Sequence, residues 1–423
     1  MARLPDVSEH EFSQDEVKYL EREGKDYCIA HGLVHKDSKG ESELIPFTLF
    51  PSPFPWKLFT ATREVQMDFN LLVHKVSQDY EFIKNALLST VTADPFTSRL
   101  FDIYEKVWEQ GNAQPISLGF FRSDYLIEAT GGLHEKCSSG ISNNNTVDKD
   151  VDPPYIKQVE LNTISLGGIS FSQHVTNMHS YNSCSLVSNP GKLKKDRYLL
   201  HLMGRPESKV PSNPALDEAA DGLIKAWELY GSTSAVVMLV VQPNEFNVYC
   251  QRMVEYRVKE RNNGIRVIRR SLTDVFNDGK TDNDKALFVN GLEVAVAYFR
   301  AGYTPRDYPT ENEWSARLTL ELSRCIKCPT VAHQLMGTKK MQQVFANPGV
   351  LERYRYVCLQ PKARSINLPK KELRLHPQHT EMFPFIIFPP TAPDRDGERS
   401  WRCVVERSGD YGYLPTLIST RYD

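Results

Sequence analysis

The chain has 423 residues, enough for two or three domain-sized units with a sizeable core. Its 51 Lys and Arg nearly balance its 53 Asp and Glu, so no net field draws the molecule to nucleic acid or to an anionic membrane. No apolar run approaches the length of a bilayer span, and the opening "MARLPDVSEHEF" lacks the apolar segment of a secretory signal, so the cytoplasm is the expected setting.

Residues 13–34 carry Val17, Leu20 and Tyr27 at helical spacing, with Gly24 on the same face as a possible break. "FTLFPSPFP" (47–55) is a proline-punctuated loop. Amphipathic helices are expected over 58–78, 79–90 and 96–110, then a short buried strand, "PISLGFF" (115–121). Residues 129–154 are rich in Gly, Ser, Asn and Asp and read as a polar loop. A strand over 156–162 follows. From 215 the pattern alternates regularly. "ALDEAADGLIKAWELYG" (215–231) reads as a helix stopped by Gly231, and "SAVVMLVVQ" (234–242) as a strand covered on both faces. A helix over 247–264 with Gly264 as its stop and a strand over 265–271 come next. Then comes a hairpin in 285–300 turning at Asn290-Gly291, and a helix over 311–325. Strand–helix alternation of this kind implies a mostly parallel α/β sheet with helices on its faces. After Arg353 the chain is dense in proline, its glycines Gly397, Gly409 and Gly412 stand singly, and at most one or two short strands are expected.

The eight cysteines are scattered, with Cys325-x-x-Cys328 the one close pair. No second pair stands at zinc-site spacing, and the pair ends a helical run, so ordinary buried thiols are the expectation. His376 and His379 in "HPQH" have weak spacing for a metal. "KQVELNTIS" (157–165) raises a sharper question. Strand side chains alternate, so Glu160 and Asn162 share a face with Cα atoms roughly 6.6 Å apart. They are either a solvated face or two hard oxygen ligands of the kind that suits Mg²⁺. Arg122 in "FRSDY" could clamp a carboxylate, or be a surface residue ahead of a Ser/Asp helix cap. Arg300 and Tyr303 in "YFRAGY" flank a turn at a strand end, where α/β sheets place ligands. Lys339 in "GTKK" is read as a loop residue, either a phosphate ligand or a solvated charge. Ser165 before Gly167-Gly168 is either an anion contact or a plain turn.

These stretches together resemble eukaryotic glutathione synthetase, an ATP-grasp ligase family. The segments that carry the resemblance are "PFTLFPSPFP", "VQMDFNLLVHKVSQ", "FTSRLFDIYEKV", "RSDYLI", "KQVELNTIS", "KAWELYG", "NVYCQRMVE", "AVAYFRAGYTPRDY", "WSARLTLELS", "KCPTVAHQLMGTKKMQQ" and "PGVLERY", collinear over about 46–354. The resemblance implies an ATP-grasp-type α/β fold. Its expected parts are an N-terminal region to residue 214, a substrate-binding α/β domain over 215–335, the start of an ATP-binding region over 336–354, and a divergent tail over 355–423. It implies ATP- and Mg²⁺-dependent joining of γ-glutamylcysteine to glycine through an acyl phosphate, in a cytoplasmic homodimer with contacts from the N-terminal helices. By position, it implies that Glu160 and Asn162 bind Mg²⁺, that Glu160 and Lys339 bind ATP, and that Arg122, Ile164, Ser165, Glu245, Asn247, Gln251, Arg300 and Tyr303 bind substrate. No catalytic nucleophile is implied.

Two departures stand out. "NTISLGGIS" is about two residues shorter than the family pattern, which removes a substrate-loop serine. After "PGVLERY" the family continues to a glycine-triplet loop over the phosphates, a third Mg²⁺ ligand and a basic, alanine-rich lid, and 355–423 match none of these. The change is abrupt at Arg355, as a translated intron or mis-joined exon would produce. A non-catalytic dipeptide-binding or dimer-forming variant is therefore the alternative. A ligase for a different peptide, and a chain that does not fold stably, are further alternatives.

Overall fold

A computed structural model describes residues 14–49, 51, 54, 56–128, 155–185, 210–211 and 213–354, with the backbone of two short strands at 380–382 and 385–388. The polar stretch 129–154, His376, His379 and most of 355–423 lie outside the described residues.

Helix α1 (Gln14–Ala30) passes through Gly24 without a break. The glycine serves packing, since a Cβ there would lie 2.9 Å from the Phe47 ring. A small hairpin, β1 (Val34–Lys36) with β2 (Ser42–Leu44), follows. Then α2 (Trp56–Ser77), α3 (Tyr80–Ala93) and α4 (Pro95–Gln110) form a helical layer. Their starts are written in the sequence. Asp79 accepts from Phe82 N, and Asp94 accepts from Thr97 N with Pro95 in the first turn. The three bury Leu72, Val76, Ile83, Leu87, Leu100 and Ile103 in one cluster.

Strands β3 (Ser117–Phe120) and β4 (Arg122–Glu128) run on to β5 (Tyr155–Asn162), and β4 pairs antiparallel with β5. Helix α5 (Ile169–Ser185) comes next. Its Phe171, Val175 and Met178 are buried at helical spacing. Sequence reasoning missed it because its polar residues mask that stripe.

Helix α6 (Ala215–Tyr230) ends at Gly231, whose φ of 86° is the left-handed cap glycine favours. Strand β6 (Val236–Val240), α7 (Val248–Arg261), β7 (Val267–Arg270), α8 (Leu272–Asp278), β8 (Gly279–Thr281), β9 (Leu287–Val289) and β10 (Leu292–Phe299) follow. After them come α9 (Glu311–Leu322), β11 (Ile326–Cys328), α10 (Val331–Met336), α11 (Lys339–Phe345) and α12 (Val350–Arg353). β7, β6, β10 and β11 lie parallel in that order, and β9 and β8 extend the sheet antiparallel from the start of β10. The apolar run in β6 is explained by its two covered faces. Val236, Met238 and Val240 pack with Leu272, Val275, Ala316 and Leu320, while Val237, Leu239 and Val241 pack with Leu216, Leu223, Val254 and Val258. Each such fully buried Val or Leu contributes about 1.5–3 kcal/mol. The hairpin turns where expected, with Asn290 at φ 50° and Gly291 at φ 75°.

Several local expectations need correction. Helix α7 stops at Arg261, ahead of Gly264, because Asn262 turns out of the helix and its Oδ1 accepts from Gly264 N at 3.1 Å. Arg122 lies in strand β4, not ahead of a helix cap. Lys339 opens helix α11 and is not in a loop. Cys325 precedes and Cys328 ends strand β11, which leads to α10, yet both are fully buried and burial pushes both thiols up. In the tail, β12 (Thr380–Met382) pairs antiparallel with β4 and β13 (Phe385–Phe388) with β3. The tail thus covers the β3 and β4 edges with two short strands, the number allowed for it. No described helix is long and apolar enough to cross a membrane.

Candidate functional site

The register of β4 on β5 sets Asp124 opposite Glu160 and Arg122 opposite Asn162. Residues directly opposite share a face, so four polar side chains gather where sequence reasoning saw two. Asp124, only 4% exposed, accepts from Arg122 Nε at 2.9 Å and Arg122 Nη2 at 3.1 Å. It also accepts from Asn162 Nδ2 at 3.3 Å. The Arg122 fork therefore engages a carboxylate of its own chain. With Nδ2 turned to Asp124, the Asn162 amide presents Oδ1 on its other side.

Helix α11 closes the far edge of β5. Gln342 imitates a neighbouring strand, its Oε1 accepting from Leu161 N and its Nε2 donating to Leu161 O, both at 3.3 Å. Gly337 lets the two backbones meet, since a Cβ there would stand 2.4 Å from Thr163 Oγ1. This docking carries Lys339 to Glu160, with Nζ 2.5 Å from Oε1. The two residues expected to bind ATP are thus an ion pair, with the lysine side chain 69% and the glutamate 31% exposed.

A second group forms at the C-terminal ends of β6 and β10. Arg300 is 4% exposed, and its backbone N donates to Val240 O at 2.8 Å. Its Nη1 donates to Leu166 O and to Tyr298 Oη. Burial alone would lower the Arg300 pKa, but Tyr298, Cys250 and Glu245 outweigh it and raise it. Two buried atoms in this group have no partner among the described residues, Arg300 Nε and Glu245 Oε2. The other Glu245 oxygen accepts from Asn247 N at 2.9 Å, and the Asn247 side chain makes no cap bond to α7. Tyr303 is 44% exposed, and burial, then Asp307 and Glu245, raise its pKa. Ser165 holds φ 52° and donates to Phe299 O at 3.3 Å, so the loop after β5 is tied to the end of β10. Ile164 packs, half-buried, against the sheet. Gln251 is 1% exposed and accepts from Arg269 Nη2 at 2.6 Å.

One network holds the 300–303 turn. Asp307 Oδ2 accepts from the N–H of Gly302, Tyr303 and Thr304, each at 3.0 Å. Its Oδ1 accepts from Gln242 Nε2 at 2.7 Å. Gln334 joins the two groups: its Nε2 donates to Gly302 O at 2.9 Å, and its backbone O accepts from Thr163 Oγ1 at 3.3 Å. Behind the turn, Arg317 is fully buried, paired with Glu321 at 2.9 Å and donating to Tyr308 Oη.

The structure therefore collects Glu160, Asn162, Arg122 and Lys339 on one side of this network. Arg300, Glu245 and Tyr303 lie on the other, with Asn247 and Gln251 following on α7 and Ile164 and Ser165 on the connecting loop. Among the described residues, no three His, Cys, Asp or Glu side chains gather as a metal cluster. Glu160 and Asn162 nevertheless suit a hard cation, since both offer oxygen on one strand face. Sequence reasoning missed Asp124, Asp307, Gln334 and Arg269. Only Asp124 had a readable signal, because alternation from Arg122 puts it on the same strand face.

The profile described as eukaryotic glutathione synthase, ATP binding domain, matches residues 14–368. The glutathione synthetases of Macaca fascicularis and Homo sapiens are each 40% identical to the chain, covering 80% of it and 65% of each relative. That of Dictyostelium discoideum is 37% identical, covering 81% of this chain and 68% of the relative. A glutathione synthetase-like effector, GSS30, from Globodera pallida in its apo form is similar in structure, with a TM-score of 0.61 and 25% identity. It covers 84% of this chain and 70% of that one. The chain thus spans about 65% of the length of the first relatives.

Proposed function

The chain belongs to the eukaryotic glutathione synthase family, and from that premise we propose that it binds γ-glutamylcysteine at the 300–303 turn and ATP beside Lys339, for ligation of the dipeptide to glycine. One observation carries this reading: the buried, unpartnered atoms Glu245 Oε2 and Arg300 Nε. Each such atom costs roughly 1–3 kcal/mol or more while it lacks a partner. An α-amino acid end group relieves both, its ammonium at Glu245 and its carboxylate at Arg300. The γ-glutamyl end of the dipeptide carries that pair of groups on one carbon.

In the ligation, the dipeptide's free carboxylate is phosphorylated by ATP and the glycine amine then displaces phosphate. Both steps build negative charge, so cations and N–H donors matter more than a nucleophile. Lys339 supplies a cation at the strand face, and Asp124 keeps Arg122 and Asn162 in place beside it. Magnesium would be held by Glu160 and Asn162 Oδ1 and would neutralise phosphate charge. The Gln334 bridge holds the dipeptide turn at a set distance from the strand face, which serves orientation.

A second reading, dipeptide binding without turnover, is favoured by residues 355–423, whose three glycines stand singly. The test mixes purified chain with γ-glutamylcysteine, glycine, ATP and Mg²⁺ and measures glutathione, with dipeptide binding followed by calorimetry. We expect binding that Arg300→Met abolishes. Binding without glutathione supports the second reading, and a folded chain that binds no dipeptide refutes both. The same proposal includes a cytoplasmic homodimer, supported at α1 by Val17, Tyr19 and Ile29, which are 40%, 40% and 64% exposed. A monomer by light scattering at micromolar concentration would refute the dimer.

A further inference from the structure

We propose that Arg269 is a positioning residue that fixes which end of the Gln251 amide faces the ligand, so that this subsite presents a hydrogen-bond donor and selects a ligand acceptor oxygen. The inference rests on the dipeptide-binding reading above and adds a residue and a polarity to it.

Arg269 lies in β7 and reaches across to α7. Its Nη2 donates to Gln251 Oε1 at 2.6 Å, and its Nη1 pairs with Glu255 Oε1. The other Glu255 oxygen accepts from Arg252 Nη1 at 2.7 Å. The arginine side chain is 14% and the glutamate 8% exposed, so the guanidinium is held from two sides in a mostly dry setting. A guanidinium has five N–H donors and no acceptor. The amide must therefore turn its oxygen to Arg269, whichever way it would rotate alone. Its Nε2 then points away from Arg269, and no described residue accepts from it.

Gln251 follows Asn247 by one helical turn, its N–H bonding to Asn247 O at 3.3 Å, so the two side chains share a face of α7. Cys250, next to it, and Glu245, just ahead of α7, both act electrostatically on Arg300. The donor thus lies on the α7 face that Asn247 opens two residues after Glu245, whose Oε2 is also without a partner among the described residues. It complements a carboxylate or peptide carbonyl oxygen and offers nothing to an ammonium. The subsite therefore reads the orientation of a γ-glutamyl dipeptide: ammonium toward Glu245, acceptor oxygens toward Arg300 and Gln251.

Three variants test this by calorimetric binding of γ-glutamylcysteine, with thermal melts as a check on folding. Gln251→Glu keeps an oxygen for Arg269 but replaces the donor with an acceptor, and it should weaken binding about 10- to 100-fold, the worth of a hydrogen bond to a charged group. Arg269→Gln can donate or accept, frees the amide to rotate, and should weaken binding about 10-fold. Arg269→Lys again offers only donors and should restore binding to within about 3-fold of wild type. A purely structural role for Arg269 would make binding follow the melting temperature across the set, without selective rescue by lysine. Wild-type binding that Arg300→Met abolishes, but that Gln251→Glu and folded Arg269→Gln leave unchanged, overturns the positioning role and spares the functional reading. A folded wild-type chain that binds no dipeptide overturns both.

Discussion

Gly337→Ala tests the joint that brings α11 to the metal-candidate strand. The backbone at Gly337 is ordinary right-handed helix, φ −79°, so alanine adds no dihedral strain. What it adds is one methyl group, 2.4 Å from Thr163 Oγ1 and 3.4 Å from Leu161 O. The closer contact is about 1 Å short of ordinary van der Waals separation. Thr163 cannot swing away freely, because its hydroxyl donates to Gln334 O. The strand and helix must part, which strains the Gln342 bonds to Leu161. Overpacking of this kind costs about 1–3 kcal/mol. The assay is a urea unfolding series on Gly337→Ala, Thr163→Ala and the double variant. Removing Oγ1 removes the clash, so the Gly337→Ala cost should fall below about 1 kcal/mol in the Thr163→Ala background, a coupling of at least ~0.5 kcal/mol. An equal loss in both backgrounds, or no loss in either, would refute the reasoning.

Lys339→Ala should leave stability within about 0.5 kcal/mol, because its ion pair with Glu160 is largely exposed, yet weaken ATP binding about 10-fold or more; fluorescent-nucleotide titration beside urea unfolding separates the two. Asp124→Ala should cost about 3 kcal/mol in urea unfolding, since it removes the carboxylate that accepts from both Nε and Nη2 of Arg122 in a setting where the arginine side chain is 17% exposed. Stability should also fall with acid below about pH 6.5. His74 and His333 are buried, with Nδ1 and Nε2 3.2 Å apart. Burial, helped at His74 by His333, pushes their pKa from 6.5 to about 2 and about 3. The unfolded chain thus binds more protons below 6.5, so the stability from this pair is complete above that pH. It is lost at up to about 1.4 kcal/mol per pH unit per ring as pH falls toward 3, steepening acid unfolding. His333→Gln should flatten that limb in a pH series of urea midpoints.

Local patterns were legible where one residue type has one structural use. Gly231 and Asn290-Gly291 announced a helix end and a hairpin, because backbone sterics act over a few residues, whereas the caps Asp79 and Asp94 came to light with the structure. The unbroken apolar run of β6 announced a strand covered on both faces. Glu160 and Asn162 were readable as a shared polar face from alternation alone. Their chemical meaning rested on resemblance, since a solvated face has the same pattern. One of the two readings of Arg122 set it ahead of a helix cap and Lys339 was read into a loop, because a short polar strand and a seven-residue helix carry little periodicity.

What the sequence by itself determined is the regular alternation of elements from 215 onward, the ends of several of them, and which residues carry usable charge. The tertiary structure alone decided their partners. Asp124 meets Arg122 and Asn162 through strand register, Lys339 meets Glu160 because Gly337 lets two backbones touch, and Arg269 reaches Gln251 across a strand and a helix. Gln334 links Thr163 to Gly302 over separations of 171 and 32 residues. Such contacts follow from packing between distant segments, and no local pattern encodes the register in which two distant segments meet.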